Sequence, residues 1–296
     1  MMSVIVDKAV LSLKSVVYAT DFSPCSQNAG LYASRMAAFF SAKLFVAHAF
    51  TLSQAALEVE IGDRKASQQR VDLNSSLSKE AHLLGNDSLK AIPSLLEGDP
   101  KYAITQLADS NAPSMIVLGT HGRSRLERGI IGSIAEKILR STCWPALTVG
   151  PLVPALSSNT LPFKKILFAT DFTADAAIAA AFVVNLAEAF GARIDVLNVV
   201  QDDAIDNPTL ITDIRGRFFS VVDGLVPQHA QAFCDPKTFV ATGNAHDRII
   251  EHIRSNSIDL LVLSIRNASH LRMEMRTSGV FRIIVDAKCP VLTIRR

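Results

Sequence analysis

The 296-residue sequence contains few cysteines, and they follow no recognisable spacing. Its four cysteines are scattered along the chain without a Cys-x-x-Cys pair, so neither a disulfide framework nor a thiolate zinc site is indicated. The seven histidines show no His-Glu-x-x-His segment or other paired metal spacing. The sequence therefore predicts no metal site, and a reducing compartment is favoured.

Long apolar runs and blocks of one charge are also missing. No stretch reaches the ~18 uninterrupted apolar residues of a membrane span, and the first residues lack the basic segment, apolar region and cleavage site of a secretory signal. The formal net charge is only +2, whereas a nucleic-acid-binding protein usually has a strongly basic face. We therefore expect a soluble, cytoplasmic protein with no membrane or nucleic-acid partner.

The sequence does contain an internal repeat. Val-Val-Tyr-Ala-Thr-Asp-Phe begins at Val16 and Ile-Leu-Phe-Ala-Thr-Asp-Phe begins at Ile166, so the aspartates Asp21 and Asp171 are separated by 171 − 21 = 150 positions. A period of this length indicates duplicated domains, in keeping with the prior of about 150 residues per domain. We predict one domain at residues 1–150, a linker at 151–162 and a second domain at 163–296.

Strand and helix patterns alternate in both copies, and this alternation is typical of a parallel sheet covered on both faces. In the first copy, a strand is predicted to end at Thr20 and Asp21. The further predicted strands are Ala42–Ala49, Ala91–Glu97, Ser114–Leu118 and Pro145–Val149, then Ala192–Val199, Thr238–Thr242, Asp259–Leu263 and Pro290–Ile294. The predicted helices include Ser67–Leu84, Tyr102–Ser110, Ile211–Val226 and Ala245–Ser255.

A glycine-bearing loop joins the fourth strand of the first copy to the next helix, from Gly119 to Ser133. The start of a helix offers unpaired N–H groups and a positive dipole end, which suits an anion. We expect Gly119 and Gly122 to adopt positive φ and to let a phosphate approach the backbone without an intervening Cβ. Gly132 and Ser133 would add N–H groups and a hydroxyl donor, and Arg123 is a candidate counter-charge.

Together these landmarks resemble the universal stress protein family, and specifically a tandem member with two UspA-type domains. The family's nucleotide motif is Gly-x2-Gly-x9-Gly-[Ser/Thr], which the first copy matches in full. Supporting matches are Ala19-Thr20-Asp21, His48-Ala49, Gly98 and the Cys-x-Pro segment before the last strand. The resemblance implies an α/β fold with two doubly wound parallel-sheet domains, flavodoxin-like or adenine nucleotide alpha hydrolase-like, of strand order 3-2-1-4-5.

The resemblance also implies an ATP site in the first domain, with Mg²⁺ as an optional companion of the phosphates. The adenine and ribose would lie near Ala19, Asp21 and Ala49, with Leu118 and Ile134 at their sides and Asp21 accepting a hydrogen bond from the sugar or base. The phosphate-binding part would be the glycine loop. The expected site residues are therefore Ala19, Asp21, Ala49, Leu118, Gly119, Gly122, Arg123, Gly132, Ser133 and Ile134.

The second copy departs from this motif. Pro145 and Pro290 set an offset of 290 − 145 = 145 positions, which carries the four motif residues to Ser264, Asn267, Thr277 and Ser278. None of the three glycines remains, and a Cβ at these places would obstruct a phosphate. We expect the second domain to fold but to bind nucleotide weakly or not at all, while its loop arginines could hold another anion or simply face water.

The function expected from these residues is a nucleotide-responsive stress or signalling module, because no convincing base, nucleophile or metal set is present. Slow Mg²⁺-dependent hydrolysis of ATP and a nucleotide-free scaffold are the alternatives. We interpret His48 as a hydrogen-bonded structural residue and His121 as a solvated loop residue, and Cys25 is a weak candidate for a redox sensor. The last strands of the two domains could pair within one molecule, and a homodimer is left open.

Overall fold

The computed structural model describes residues 13–51, 60–120, 131–156, 161–171, 174–200, 216, 235–265 and 273–295. The chain divides into two compact units, one built mainly on Leu13–Pro151 and the other mainly on Pro162–Arg296. We call them the N-terminal unit and the C-terminal unit. No helix in the described part of the chain is both long and apolar enough to cross a membrane.

The N-terminal unit is a parallel sheet with helices between successive strands. Its elements are β1 (Ser15–Ala19), α1 (Pro24–Phe39), β2 (Lys43–Phe50), α2 (Glu60–Leu84), β3 (Ala91–Glu97), α3 (Pro100–Ser110), β4 (Ser114–Gly119), α4 (Ser133–Ser141) and β5 (Ala146–Val149). The strand order within this unit is β3-β2-β1-β4-β5, and the paired strands are parallel. The predicted doubly wound fold and its order 3-2-1-4-5 are confirmed here.

The C-terminal unit repeats the same plan. Its elements are β6 (Lys165–Ala169), α5 (Ala174–Phe190), β7 (Arg193–Val200), β8 (Lys237–Thr242), α6 (Ala245–Asn256), β9 (Leu260–Ile265), α7 (Met273–Asp286) and β10 (Val291–Arg295). The order within this unit is β8-β7-β6-β9-β10, again with parallel pairs. The helix predicted at Ile211–Val226 lies outside the described residues except for Gly216, which is helical.

Local sequence signals explain where the helices begin. Ser23 is the N-cap of α1, where its side chain accepts a hydrogen bond from the Ser26 N–H, and Pro24 occupies the first helical position. Asp99 caps α3 in the same way by accepting from the Lys101 N–H, also followed by a proline. The central strands are apolar runs because helices cover both faces of the sheet; Val16 and Val17 of β1 are fully buried.

The strand registers establish which residues of the two units are equivalent. Ala19 lies opposite Leu118 across β1 and β4, and Ala169 lies opposite Leu263 across β6 and β9. The offset is therefore 169 − 19 = 150 for the first strand and 263 − 118 = 145 for the fourth. By the same offset of 145, Ser264 occupies the position of Gly119 at the carboxyl end of its strand.

Candidate functional site

A cavity of about 380 Å³ lies at the carboxyl ends of β1 and β4 in the N-terminal unit. These neighbouring strands form the switch point of the sheet, where the chain connections turn to opposite faces and a crevice opens. Eight of the predicted site residues line this cavity: Ala19, Asp21, Ala49, Leu118, Gly119, Gly132, Ser133 and Ile134. The other two, Gly122 and Arg123, lie outside the described residues, as does His121.

Asp21 reaches the cavity because the chain turns sharply after β1. Its Oδ1 accepts a hydrogen bond from the Ser23 N–H at 3.0 Å, a local turn that aspartate favours. Phe22 lies between them in a left-handed conformation, with φ of 62°. The turn holds the half-buried Asp21 carboxylate at the mouth of the cavity while Ser23 begins α1.

His48 lines the same cavity and makes a hydrogen bond to the backbone. Its Nδ1 lies 2.8 Å from the carbonyl oxygen of Thr20, and since a carbonyl can only accept, Nδ1 must carry the hydrogen. In the C-terminal unit the equivalent residue Asn198 donates from Nδ2 to the carbonyl oxygen of Thr170 at 2.9 Å. The same bond is thus made by two different side chains, which agrees with the structural interpretation of His48.

The start of α4 forms one side of the cavity. Gly132 is its N-cap, with φ −61° and ψ 139° and no side-chain hydrogen bond to the helix. The N–H groups of Ser133, Ile134 and Ala135 belong to the first turn, whose donors have no partner inside an α-helix. One expectation is corrected here, because the Gly132 N–H donates to the carbonyl oxygen of Thr120 at 2.7 Å and serves the loop instead of a ligand.

The expectation of positive φ at Gly119 is also wrong. The glycines with positive φ in the described residues are Gly98, Gly191 and Gly243. The reason for a glycine at 119 is close packing: a Cβ there would lie 2.9 Å from the backbone carbonyl carbon of Cys25 and 2.9 Å from the Ser26 nitrogen. Gly119 therefore lets the first turn of α1 lie directly against the end of β4.

A buried polar cluster behind the cavity was not predicted. Glu80 of α2 has only 9% of its surface exposed and contacts Tyr18 and Thr20 of the first strand region. Burial raises the pKa of the Tyr18 phenol above its usual range, so the phenol keeps its hydrogen. A sequence signal existed, because Glu80 lies three positions after Leu77 and four before Leu84, on the apolar face of the helix.

The C-terminal unit arranges the corresponding segment differently. Helix α7 begins at Met273, so Thr277 and Ser278, the equivalents of Gly132 and Ser133, lie within the helix rather than at its start. N–H groups beyond the first turn normally bond within the helix. Asn267 lies outside the described residues. Among those that are described, no cluster of three or more His, Cys, Asp or Glu side chains could hold a metal ion in either unit.

Comparisons with known proteins agree with this architecture. A universal stress protein of Methanocaldococcus jannaschii is 28% identical over 138 residues, 46% of this chain and 81% of that protein. One from Synechocystis is 30% identical over 90 residues, 30% of each chain. The crystal structure of a universal stress protein from Archaeoglobus fulgidus matches with a TM-score of 0.69 at 17% identity, covering 95% of this chain and 96% of that one.

The profile of the universal stress protein family matches twice, at residues 12–150 and 162–295. Each match contains the five strands of one of the two units. The chain therefore belongs to the universal stress protein family and carries two of its domains in tandem.

Proposed function

We propose that the N-terminal unit binds one adenine nucleotide, ATP, in the cavity between β1, β4 and α4, and that the chain acts as a nucleotide-responsive stress or signalling module. The observation that carries the proposal is the convergence of eight expected residues, from the ends of three strands and the start of one helix, on a single cavity. Its volume of about 380 Å³ falls within the range of small-molecule sites.

The phosphates would lie against the first turn of α4. That turn has no side-chain cap. An incoming anion can therefore accept hydrogen bonds from its N–H groups and be stabilised by the helix dipole. The Ser133 hydroxyl adds a further donor. Glu136 is the acidic residue of this turn, and its salt bridge to Arg140 at 2.8 Å reduces its repulsion of the anion.

The base would lie on the apolar walls. Ala19, Ala49 and Leu118 line the cavity from the sheet. Ile134 lines it from α4 and leaves 47% of its surface exposed, unusual for a large aliphatic side chain at a concave site. An adenine ring would remove this surface from water, which is favourable. Asp21, at the mouth, would accept a hydrogen bond from the sugar or base.

Equilibrium titration with ATP tests this proposal. The double variant Gly122→Val, Gly132→Val should lose at least tenfold in affinity, because bulky side chains would occupy the phosphate approach. The φ of −61° at Gly132 is open to valine. The matched control is Asn267→Val, Thr277→Val in the C-terminal unit, which should bind ATP like the wild type.

Equal ATP affinity in the wild type and the Gly122, Gly132 double variant would contradict the assigned site. No thermal shift of the wild type at millimolar ATP would favour the nucleotide-free scaffold instead, since a ligand that binds only the folded state must raise stability. Phosphate release that depends on Mg²⁺ and is lost in the double variant would favour slow hydrolysis at the same site.

A further inference from the structure

The buried carboxyl of Glu80 lies directly behind the cavity floor. Thr20 and Ser26 line the cavity, and Glu80 reaches Thr20 Oγ1 with both carboxyl oxygens, at 3.2 and 3.0 Å. Glu80 comes from α2, an element that does not itself line the cavity. Its carboxyl joins α2 to the residues that a ligand would touch.

The hydrogens in this cluster can be counted. Tyr18 Oη lies 2.6 Å from the carbonyl oxygen of Ser26 and 2.7 Å from Glu80 Oε1. A phenol has one hydrogen, whereas a carbonyl and a carboxylate both only accept. With an ionised Glu80, one of these two short contacts would bring lone pairs together without a hydrogen between them.

A proton on Glu80 Oε1 places a hydrogen in both short contacts of Tyr18. The acid then donates to Tyr18 Oη, and Tyr18 donates to the Ser26 carbonyl oxygen. Thr20 donates to Glu80 Oε2 and accepts from the Phe22 N–H at 3.0 Å, while the Ser26 hydroxyl donates to the Ser23 carbonyl oxygen at 2.9 Å. Each hydrogen then has one acceptor, and the contacts left without a hydrogen are the longer ones of Thr20 Oγ1, at 3.2 Å from Ser26 Oγ and 3.2 Å from Glu80 Oε1.

The charge environment supports the same assignment. No salt bridge to Glu80 is present within the described ranges, whereas Arg70 pairs with Glu97 and Arg140 with Glu136. An ionised carboxyl buried without a cationic partner is strongly disfavoured. The titratable groups on the neighbouring elements are Tyr18 and Asp21 around β1, Cys25, Tyr32 and Arg35 on α1, Lys43 and His48 on β2 and Glu97 on β3. Of these, Tyr18 is hydrogen-bonded to Glu80.

The cluster occurs in the unit that has the glycine motif. At the offset of 150, Phe168 and Ala176 replace Tyr18 and Ser26 in the C-terminal unit, while Thr170 remains. The C-terminal unit therefore lacks the phenol and the hydroxyl along with the glycines.

We propose that Glu80 is a neutral carboxylic acid and a positioning residue for the nucleotide site, holding Thr20 and, through Tyr18, the first turn of α1 against the cavity. A neutral acid can hold Thr20 and the first turn of α1 in position without placing a negative charge behind bound phosphates. The positioning part rests on the proposed nucleotide binding, and the protonation part does not.

Infrared spectroscopy tests the protonation directly at neutral pH. The wild type should show the carbonyl stretch of a protonated carboxylic acid, and Glu80→Gln should lose it. Glu97→Gln, which changes an exposed glutamate, is the control and should retain the band. A wild type without the band, or a band that survives in Glu80→Gln, would overturn the assignment.

ATP titration of folded Glu80→Gln and Glu80→Ala tests the positioning role. Glutamine can donate to Tyr18 and accept from Thr20, as the neutral acid does, so its affinity should stay within about twofold of the wild type, whereas alanine should lose about tenfold. Equal affinity in all three proteins would overturn the role, as would equal loss in both variants. Absence of ATP binding by the wild type would refute the proposed function while leaving the infrared result to judge the proton.

Discussion

Gly119 at the end of β4 lies against Ser26 in the first turn of α1, so closely that a Cβ on Gly119 would be 2.9 Å from the Ser26 backbone nitrogen. This contact brings a helix start, two strand ends and the cavity into one small region. The neighbouring atoms are backbone, so they cannot move aside as a flexible side chain would.

Gly119→Ala should therefore destabilise the protein by about 1–3 kcal/mol, the usual cost of forcing extra volume into a packed region. Urea unfolding would measure the loss. Ser264→Ala at the equivalent position of the C-terminal unit is the control, and we expect it to change the free energy of unfolding by less than about 0.5 kcal/mol. A Gly119→Ala protein as stable as the wild type would refute the close contact.

His48→Asn should leave stability almost unchanged, because Asn198 makes the equivalent bond in the C-terminal unit. His48→Ala should cost about 1 kcal/mol for the lost hydrogen bond to the Thr20 carbonyl oxygen. Thermal or urea unfolding of the two variants would compare them. Equal losses for asparagine and alanine would show that the imidazole ring, and not this hydrogen bond, matters at position 48.

We expect the ionised side chain of Asp195 to stabilise the folded protein at neutral pH and to lose this contribution in acid. Burial opposes its charge, but hydrogen bonds from His252 at 2.9 Å and Lys165 at 3.2 Å outweigh burial and hold the pKa of Asp195 below its usual range. A lowered folded-state pKa gives stability that is present above the unfolded pKa of about 3.9 and is lost as pH falls through the folded value. Asp195→Asn should thus cost about 1–3 kcal/mol near neutral pH.

Urea unfolding of the wild type and Asp195→Asn between neutral and strongly acidic pH would check this. The difference between the two proteins should be constant near neutrality and should shrink at acidic pH. A difference that grows as the pH falls would contradict the direction of the shift.

Ser133→Asp should have opposite effects on stability and on ligand binding. An acidic side chain in the first turn of α4 interacts favourably with the helix dipole, so unfolding should cost about 0.3–1 kcal/mol more. The same charge would repel phosphate and weaken ATP binding several-fold. Ser278→Asp is the control, since Ser278 lies inside α7. Tighter ATP binding by Ser133→Asp than by the wild type would refute the proposed position of the phosphates.

Much of the fold follows from local sequence. The alternation of strands and helices and the capped starts of α1 and α3 depend on apolar runs, Ser23, Asp99 and the prolines after them, which act within a few residues. The strand order was expected from the family resemblance and not from these local signals. Boundaries were less accurate: α2 begins at Glu60 and not at Ser67, because residues 60–66 include Gly62 and several charged residues and show little apolar periodicity.

The sequence predicted which residues line the cavity better than it predicted the physical reason for each of them. The reason for Gly119 is its contact with Ser26, and the Gly132 N–H bonds to Thr120; both are tertiary relations that no local pattern reveals. The place of Glu80 on the apolar face of α2 indicates its burial, but its partners Tyr18 and Thr20 lie about sixty positions earlier in the chain, so no local pattern identifies them. Only the folded sheet brings these groups together.

The central claim is a single nucleotide site per chain, in the N-terminal unit. Crystals of the full chain grown with saturating ATP test it most directly, through electron density for the ligand. We predict one nucleotide in the cavity between Asp21 and Ser133, with its phosphates at the start of α4. Density in the C-terminal unit, or an empty N-terminal cavity at saturating ATP, would contradict it.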